Sequence, residues 1–185
     1  MRESGVKERI LETASRLFYD QGYHVTGINQ IIDEADIARA SLYNHYPSKT
    51  DLLLAYLDKT HASWFEELDL FLKPIEGIRE KLLGLFDFRS LRQQKLKYKG
   101  CHFNKIASEA SDDQAVLAKV KAHKERFRRL IHELVAQIPH RRSILDNEKL
   151  ADTIFLLLEG GIAIGGMYRS SEAAEKAKQI AEAIL

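Results

Sequence analysis

Five hydrogen-bonding side chains, Arg39, Ser41, Tyr43, Asn44 and His45, fall within seven residues, and the only bulky apolar group among them is Leu42. A guanidinium and an amide can pair with base edges, while hydroxyl and imidazole groups can bond phosphate oxygens. Wound as a helix, the segment turns Leu42 inward beside Ile37 and Tyr46 and leaves the five polar groups outward. Chemistry of the catalytic kind has less support. The histidines at 24, 45, 61, 102, 123, 132 and 140 form no His-Glu-x-x-His motif and no clear carboxylate–histidine cluster. Cys101 is the single cysteine, so it makes no internal disulfide and no metal-ligand pair. The expectation is therefore a binding protein, not an enzyme, with no cofactor and no metal.

The elements that would position these groups are helical, with periodicities of three and four almost everywhere and no sustained strand-like alternation. Val6, Ile10, Ala14, Leu17 and Phe18 give a first amphipathic helix, ended by Gly22. Thr26 is placed to N-cap a short second helix whose buried face is Ile28, Ile31 and Ile32. After a turn at 35–37 comes the polar helix, about Ala38 to His45, stopped by Pro47. Ser48-Lys49-Thr50-Asp51 reads as a capping box for a long helix from Leu52 to about Leu72. Further helices are predicted at about 75–94, 101–110, 113–138, 147–168 and 171–185. Two short helices joined by a tight turn and braced by a third make a helix-turn-helix, whose second helix fits the DNA major groove.

Composition agrees in part. The chain has 185 residues, 45% hydrophobic and 30% charged, enough for a core with a wetted surface. No signal-peptide run follows the N-terminus, and the longest nearly apolar stretch, 154–167, is interrupted by Glu159 and short for a membrane span. A cytoplasmic protein without a membrane partner is expected. Charge alone would not suggest DNA: residues 1–50 hold six Lys/Arg and seven Asp/Glu. The basic runs lie at 79–99 and 119–129, where a solvated helix face accounts for them. That acidic balance favours the alternative of a helical protein-interaction module.

The run Ala14-x-x-Leu17-Phe18-x-x-x-Gly22-Tyr23-x-x-Thr26, continuing through Ile31, Ala35 and Ile37 to Leu42-Tyr43-x-His45-Tyr46-Pro47-Ser48-Lys49-x-x-Leu52, resembles the DNA-binding region of the TetR family. The resemblance covers about residues 6–52 and implies an all-α protein of about nine helices. An N-terminal three-helix helix-turn-helix domain (1–50) would precede an effector-binding and dimerisation domain (51–185). It implies a transcriptional regulator, in the usual case a repressor, that binds double-stranded operator DNA as a homodimer and answers to a small-molecule effector. Carried over by position, Arg39, Ala40 and Ser41 would approach bases, with Asn44 on the same outward surface. Thr26, Tyr43, His45 and Lys49 would grip phosphates. Asp36 departs from the family's turn glycine, and Ala38 from its usual Ser or Thr cap.

In the body, Gly160, Gly161, Gly165 and Gly166 lie within one predicted helix, where each costs roughly 1 kcal/mol relative to alanine. Such a cost suggests close helix approach. Gly161 and Gly165, with Ala173, Ala177, Ile180, Ala181 and Ile184 of the last helix, are the expected dimer interface. Tyr56, Trp64, Phe86, Phe103, Phe127 and Phe155, with His102 or Glu159 as a polar anchor, are candidates to line a cavity for a small, largely apolar effector, and each could equally be core.

Overall fold

The computed structural model describes residues 2–139 and 143–185, with only the backbone of residues 2–4; His140 and the Arg2 side chain thus lie outside the described groups. Nine helices and no strands are found among the described residues. They are α1 (Arg2–Asp20), α2 (Ile28–Glu34), α3 (Arg39–His45), α4 (Lys49–Leu72), α5 (Ile78–Lys95), α6 (His102–Glu109), α7 (Gln114–Ala136), α8 (Asn147–Tyr168) and α9 (Glu172–Ile184).

Local chemistry sets the boundaries. Gly22 takes the left-handed φ of +104° just beyond α1. Ser48 accepts a hydrogen bond from the Asp51 amide at 3.0 Å while its hydroxyl donates to the Asp51 carboxylate, so α4 opens on the expected cap, three residues before Leu52. Asp146 caps α8 in the same way, accepting from the Lys149 amide at 2.8 Å. Asp113 caps α7 through the Ala115 and Val116 amides. Helix α5 begins three residues later than its apolar pattern suggested, because Gly77 is the extended N-cap residue.

The described contacts sort the chain into two compact units, residues 1–63 with 102–121 and residues 64–101 with 122–185. The first unit packs α1, α2 and α3 on one another around Ile10, Ala14, Phe18, Ile31, Leu42 and Tyr46. Residues 102–121 belong with this unit although they lie far beyond residue 50, the sequence-based division by role. The core of the second unit runs from Trp64 and Leu68 through Leu82, Phe86, Phe127 and Ile131 to Ile154, Leu158 and Ala181.

Helix α8 is longer than the apolar stretch that marked it. Within its 22 residues an 18-residue window reaches a mean hydropathy of 1.5, which by length and composition alone would suit a bilayer. Ala151, Ile154, Leu158 and Ile162 are buried in the protein, however, and Glu159 at its centre is ion-paired.

Candidate nucleic-acid interface

Helix α3 is the residue set singled out above, and its two sides differ sharply. Leu42 and the following Tyr46 are buried, while Arg39, Ala40, Tyr43 and Asn44 are exposed and Ser41 and His45 are half-buried. The spacing 39–40–43–44 places the exposed four along one face. Ala38 is the N-cap of α3 and makes no side-chain cap bond, so the helix starts without the stabilisation a Ser or Thr would add, about 1 kcal/mol. Arg39 Nη2 donates to Asn29 Oδ1 of α2 at 2.6 Å.

The turn between α2 and α3 holds Asp36 at φ +49°, the left-handed region that glycine favours and that Asp tolerates better than most. One acid of the segment is tied up beside this turn. Glu34 is paired with Arg16 and accepts from Gln30, and the Arg16 hydrogen bond holds its carboxyl below the ordinary value. Arg9 donates to the Asp36 carbonyl at 3.3 Å.

Two expectations change. Thr26 does not cap α2; Gly27 is the N-cap residue, without a side-chain cap bond. Thr26 is fully buried, donates its hydroxyl to the Gly22 carbonyl at 2.6 Å and accepts from Gln21, so it braces the turn and has no surface to offer a phosphate. Lys49, at the start of α4, is half-buried with Nζ 4.3 Å from the Tyr23 ring centre. Burial pushes its ammonium below the ordinary lysine value, while the charge of Glu109 acts the other way. Tyr23 is set by its hydroxyl on Thr50 and by an edge contact with Phe18.

Sequence reasoning missed the part played by α6. His24 donates its amide to Glu109 Oε2 at 3.1 Å, and its ring bonds the Glu109 carbonyl. His102 stacks on Tyr19 at 3.8 Å and bonds the Tyr56 hydroxyl, and Lys105 donates to the Tyr19 carbonyl. No local motif signals partners this far apart in sequence.

The expected effector residues divide between the units. Tyr56, His102 and Phe103 belong to the first, where His102 is engaged as just described. Trp64, Phe86, Phe127, Phe155 and Glu159 belong to the second. There Trp64 and Phe127 meet edge to face at 5.0 Å, Phe127 lies 6.2 Å from Phe155, and Phe86 is core. Glu159 is held by Arg89 and Lys124, neither of which the sequence had marked.

The expected dimer residues also have a packing role within the subunit. Gly161, Gly165, Ala177 and Ala181 are buried against their own chain. A Cβ on Gly161 would stand 3.1 Å from the Ala174 Cα, and one on Gly165 would stand 2.8 Å from the Ser170 carbonyl and 2.9 Å from Gln93 Oε1. The glycines thus let α8 approach α9 and α5 inside one subunit. Ile184 packs on the core, Ala173 is half-buried and Ile180 is exposed. The open apolar face lies on other residues of α8: Leu156, Ile164, Met167 and Tyr168. Leu156, Ile164, Tyr168 and Ile180 border a groove of about 780 Å³ between α8 and α9, whose lining also includes Gly161, Gly165, Ala173 and Ala177.

A three-helix head that buries Leu42 and shows Arg39, Tyr43 and Asn44 on its second short helix is that of a helix-turn-helix DNA-binding protein. Comparison with known proteins narrows the class. Residues 10–56 match the family described as "Bacterial regulatory proteins, tetR family". The Bacillus subtilis HTH-type transcriptional regulator YxaF is 55% identical over 89 residues, which cover 44% of this chain and 47% of that protein. The Escherichia coli HTH-type transcriptional repressor NemR is 26% identical over 113 residues, covering 60% of this chain and 56% of the relative. These matches span about half the length of the curated relatives. Among solved structures, the TetR-family regulator SCO4454 from Streptomyces coelicolor superimposes with a TM-score of 0.87 at 27% identity, over 97% of this chain and 87% of that one. Residues 10–56 thus carry the DNA-binding region of the TetR family of transcriptional regulators, and the chain as a whole is similar in fold to a TetR-family regulator. These relatives are named as transcriptional regulators.

Proposed function

We propose that the chain is a repressor that binds a palindromic operator as a homodimer and is released from it by a small effector. The observation that carries this reading is the two-sided α3, with Leu42 and Tyr46 buried and Arg39, Ala40, Tyr43 and Asn44 presented. Arg39, Ala40, Ser41 and Asn44 meet base edges in this reading. Tyr43, His45 and Lys49 meet phosphates, helped by the free amides at the start of α4. The name of the relative NemR supports repression. By role, residues 1–50 read DNA and residues 51–185 bind effector and pair subunits, in the cytoplasm where the operator is.

Pairing through the groove face of α8 and α9 would bury Leu156, Ile164, Tyr168 and Ile180, an exposed apolar set of the kind that marks an interaction surface, with the exposed Met167 one turn along α8 from Ile164. A twofold dimer suits half-sites about 34–36 Å apart. Only 46–48 separate α3 from α4. A pivot of α4 would therefore carry the reading helix with it, and the effector would act by changing the spacing of the two α3 helices.

The test is fluorescence anisotropy of the protein on its own promoter region at two salt concentrations. Saturable, salt-sensitive binding that survives competitor DNA is expected; binding no stronger to the promoter than to random duplex would overturn the reading.

A further inference from the structure

Glu159 has two positively charged partners. Its carboxylate accepts from Arg89 Nη2 of α5 at 3.1 Å and from Lys124 Nζ of α7 at 2.6 Å, so α5, α7 and α8 meet at one ion cluster. Glu159 is the one acid among the described residues paired with either cation, which leaves the cluster with a surplus positive charge. The cluster is also largely shielded: the Arg89, Lys124 and Glu159 side chains are 5%, 17% and 18% exposed. A shielded, unbalanced charge is unfavourable without a further partner.

The surplus has unfilled donors and aromatic walls. Among the described residues only Glu159 accepts a hydrogen bond from Arg89, whereas a guanidinium carries five N–H donors. The Arg89 guanidinium lies 5.5 Å from the centre of the Phe127 ring and 6.0 Å from that of Trp64. Phe155 adjoins Phe127. One turn along α5, Gln93 Oε1 is buried without a partner among the described residues.

We infer that this cluster anchors an anionic aromatic ligand, with a carboxylate or phenolate oxygen on Arg89 and Lys124 and the ring against Trp64, Phe127 and Phe155. The inference rests on the effector reading above and sharpens its chemistry. Glu159, expected as the ligand's own polar anchor, instead orients the two cations. A neutral hydrocarbon would leave the Arg89 donors unmet, a cation would be repelled, and an anion gains charge-assisted bonds about twice as strong as neutral ones. The competing account is a triad that only ties three helices together.

Calorimetric titration of the full-length protein with 2-naphthoate and with its neutral isostere 2-naphthamide separates the two, and emission of Trp64, the single tryptophan, reports on the same site. Naphthoate should bind about tenfold more tightly than the amide. Lys124→Met should bring naphthoate down to the amide's affinity. Glu159→Gln keeps the shape and removes the negative charge, so it should tighten naphthoate severalfold. Equal affinities, no binding of either compound at millimolar concentration, or weaker naphthoate binding by Glu159→Gln would each overturn the inference. Thermal melts check that the variants fold; if Lys124→Met does not, Glu159→Gln still decides. Operator anisotropy in the same titration keeps the two readings apart. Naphthoate that binds without releasing DNA leaves the anion site standing and removes the effector reading. An amide that binds as well as naphthoate and releases DNA does the reverse.

Discussion

Asn29 and Arg39 lie on different helices of the DNA-binding head and are joined by a hydrogen bond, Arg39 Nη2 to Asn29 Oδ1 at 2.6 Å. The bond restrains a long, otherwise free side chain at the start of the reading helix before any DNA arrives. Arg39→Ala is expected to weaken specific binding by about 1–3 kcal/mol with the fold intact. Asn29→Ala should cause a smaller loss, because Arg39 remains but must be ordered on binding. Anisotropy titrations on the selected operator measure both; an Arg39→Ala protein that binds like wild type removes Arg39 from the interface.

Gly161, packed against α9, and Met167, exposed on α8, should behave in opposite ways. Gly161→Leu forces a side chain onto the Ala174 backbone and should lower subunit stability by about 1–3 kcal/mol. Met167→Glu lies on the exposed face and should leave the melting of the subunit's core nearly unchanged while breaking self-association. Sedimentation velocity beside thermal unfolding reads the two effects. A Met167→Glu protein that remains dimeric would move the interface elsewhere.

How far these sites were legible in sequence depended on the range of the interactions. Helices, the α4 cap and the two-sided α3 are local, and Leu42 and Ser48 announced them. The apolar content of α8 was equally plain, but which of its stripes faces outward was not. Glycine spacing marked the tight side of α8, and that tightness turned out to serve α9 and α5 of the same chain. Thr26 was misread because a hydroxyl ahead of a helix can cap forward or bond backward to Gly22, and the sequence does not say which. Arg89 and Lys124 looked like members of basic runs, since their common partner Glu159 is 70 and 35 residues away.

Asp36 gives a backbone prediction. At φ +49° a β-branched residue is strained, so Asp36→Val should destabilise the protein by about 1–2 kcal/mol, whereas Asp36→Gly should be neutral or stabilising. Chemical denaturation provides the comparison. Equal stabilities for the Val and Gly variants would mean that the turn relaxes.

Acid sensitivity should trace in part to α7 and α8. Arg128 forks onto Asp152 with bonds of 2.7 and 2.9 Å, and His132 adds a third contact. The Arg128 hydrogen bond, more than the His132 one, holds the Asp152 carboxyl below its ordinary 3.8. A depressed carboxyl contributes stability that is complete above its unfolded-state value and lost as pH falls through the lowered folded-state value. Solvent screening keeps the effect small. Melting temperatures of wild type and Asp152→Asn, taken from about pH 6 to about pH 3, should converge at the acid end. A constant gap across that range would assign the stability to shape and not to charge.

The bonds from α6 to the head also bear on how the protein is made. Glu109 meets His24 across 85 residues of chain, and Lys105 meets Tyr19 across 86. A ribosome adding about 5–20 residues per second takes roughly 4–17 s to supply the second half of those contacts. During that interval the nascent head lacks the clasp on its α1–α2 turn. A helix-turn-helix excised near residue 50 would stay in that condition permanently, with the Tyr19 ring stripped of its His102 neighbour and left facing water.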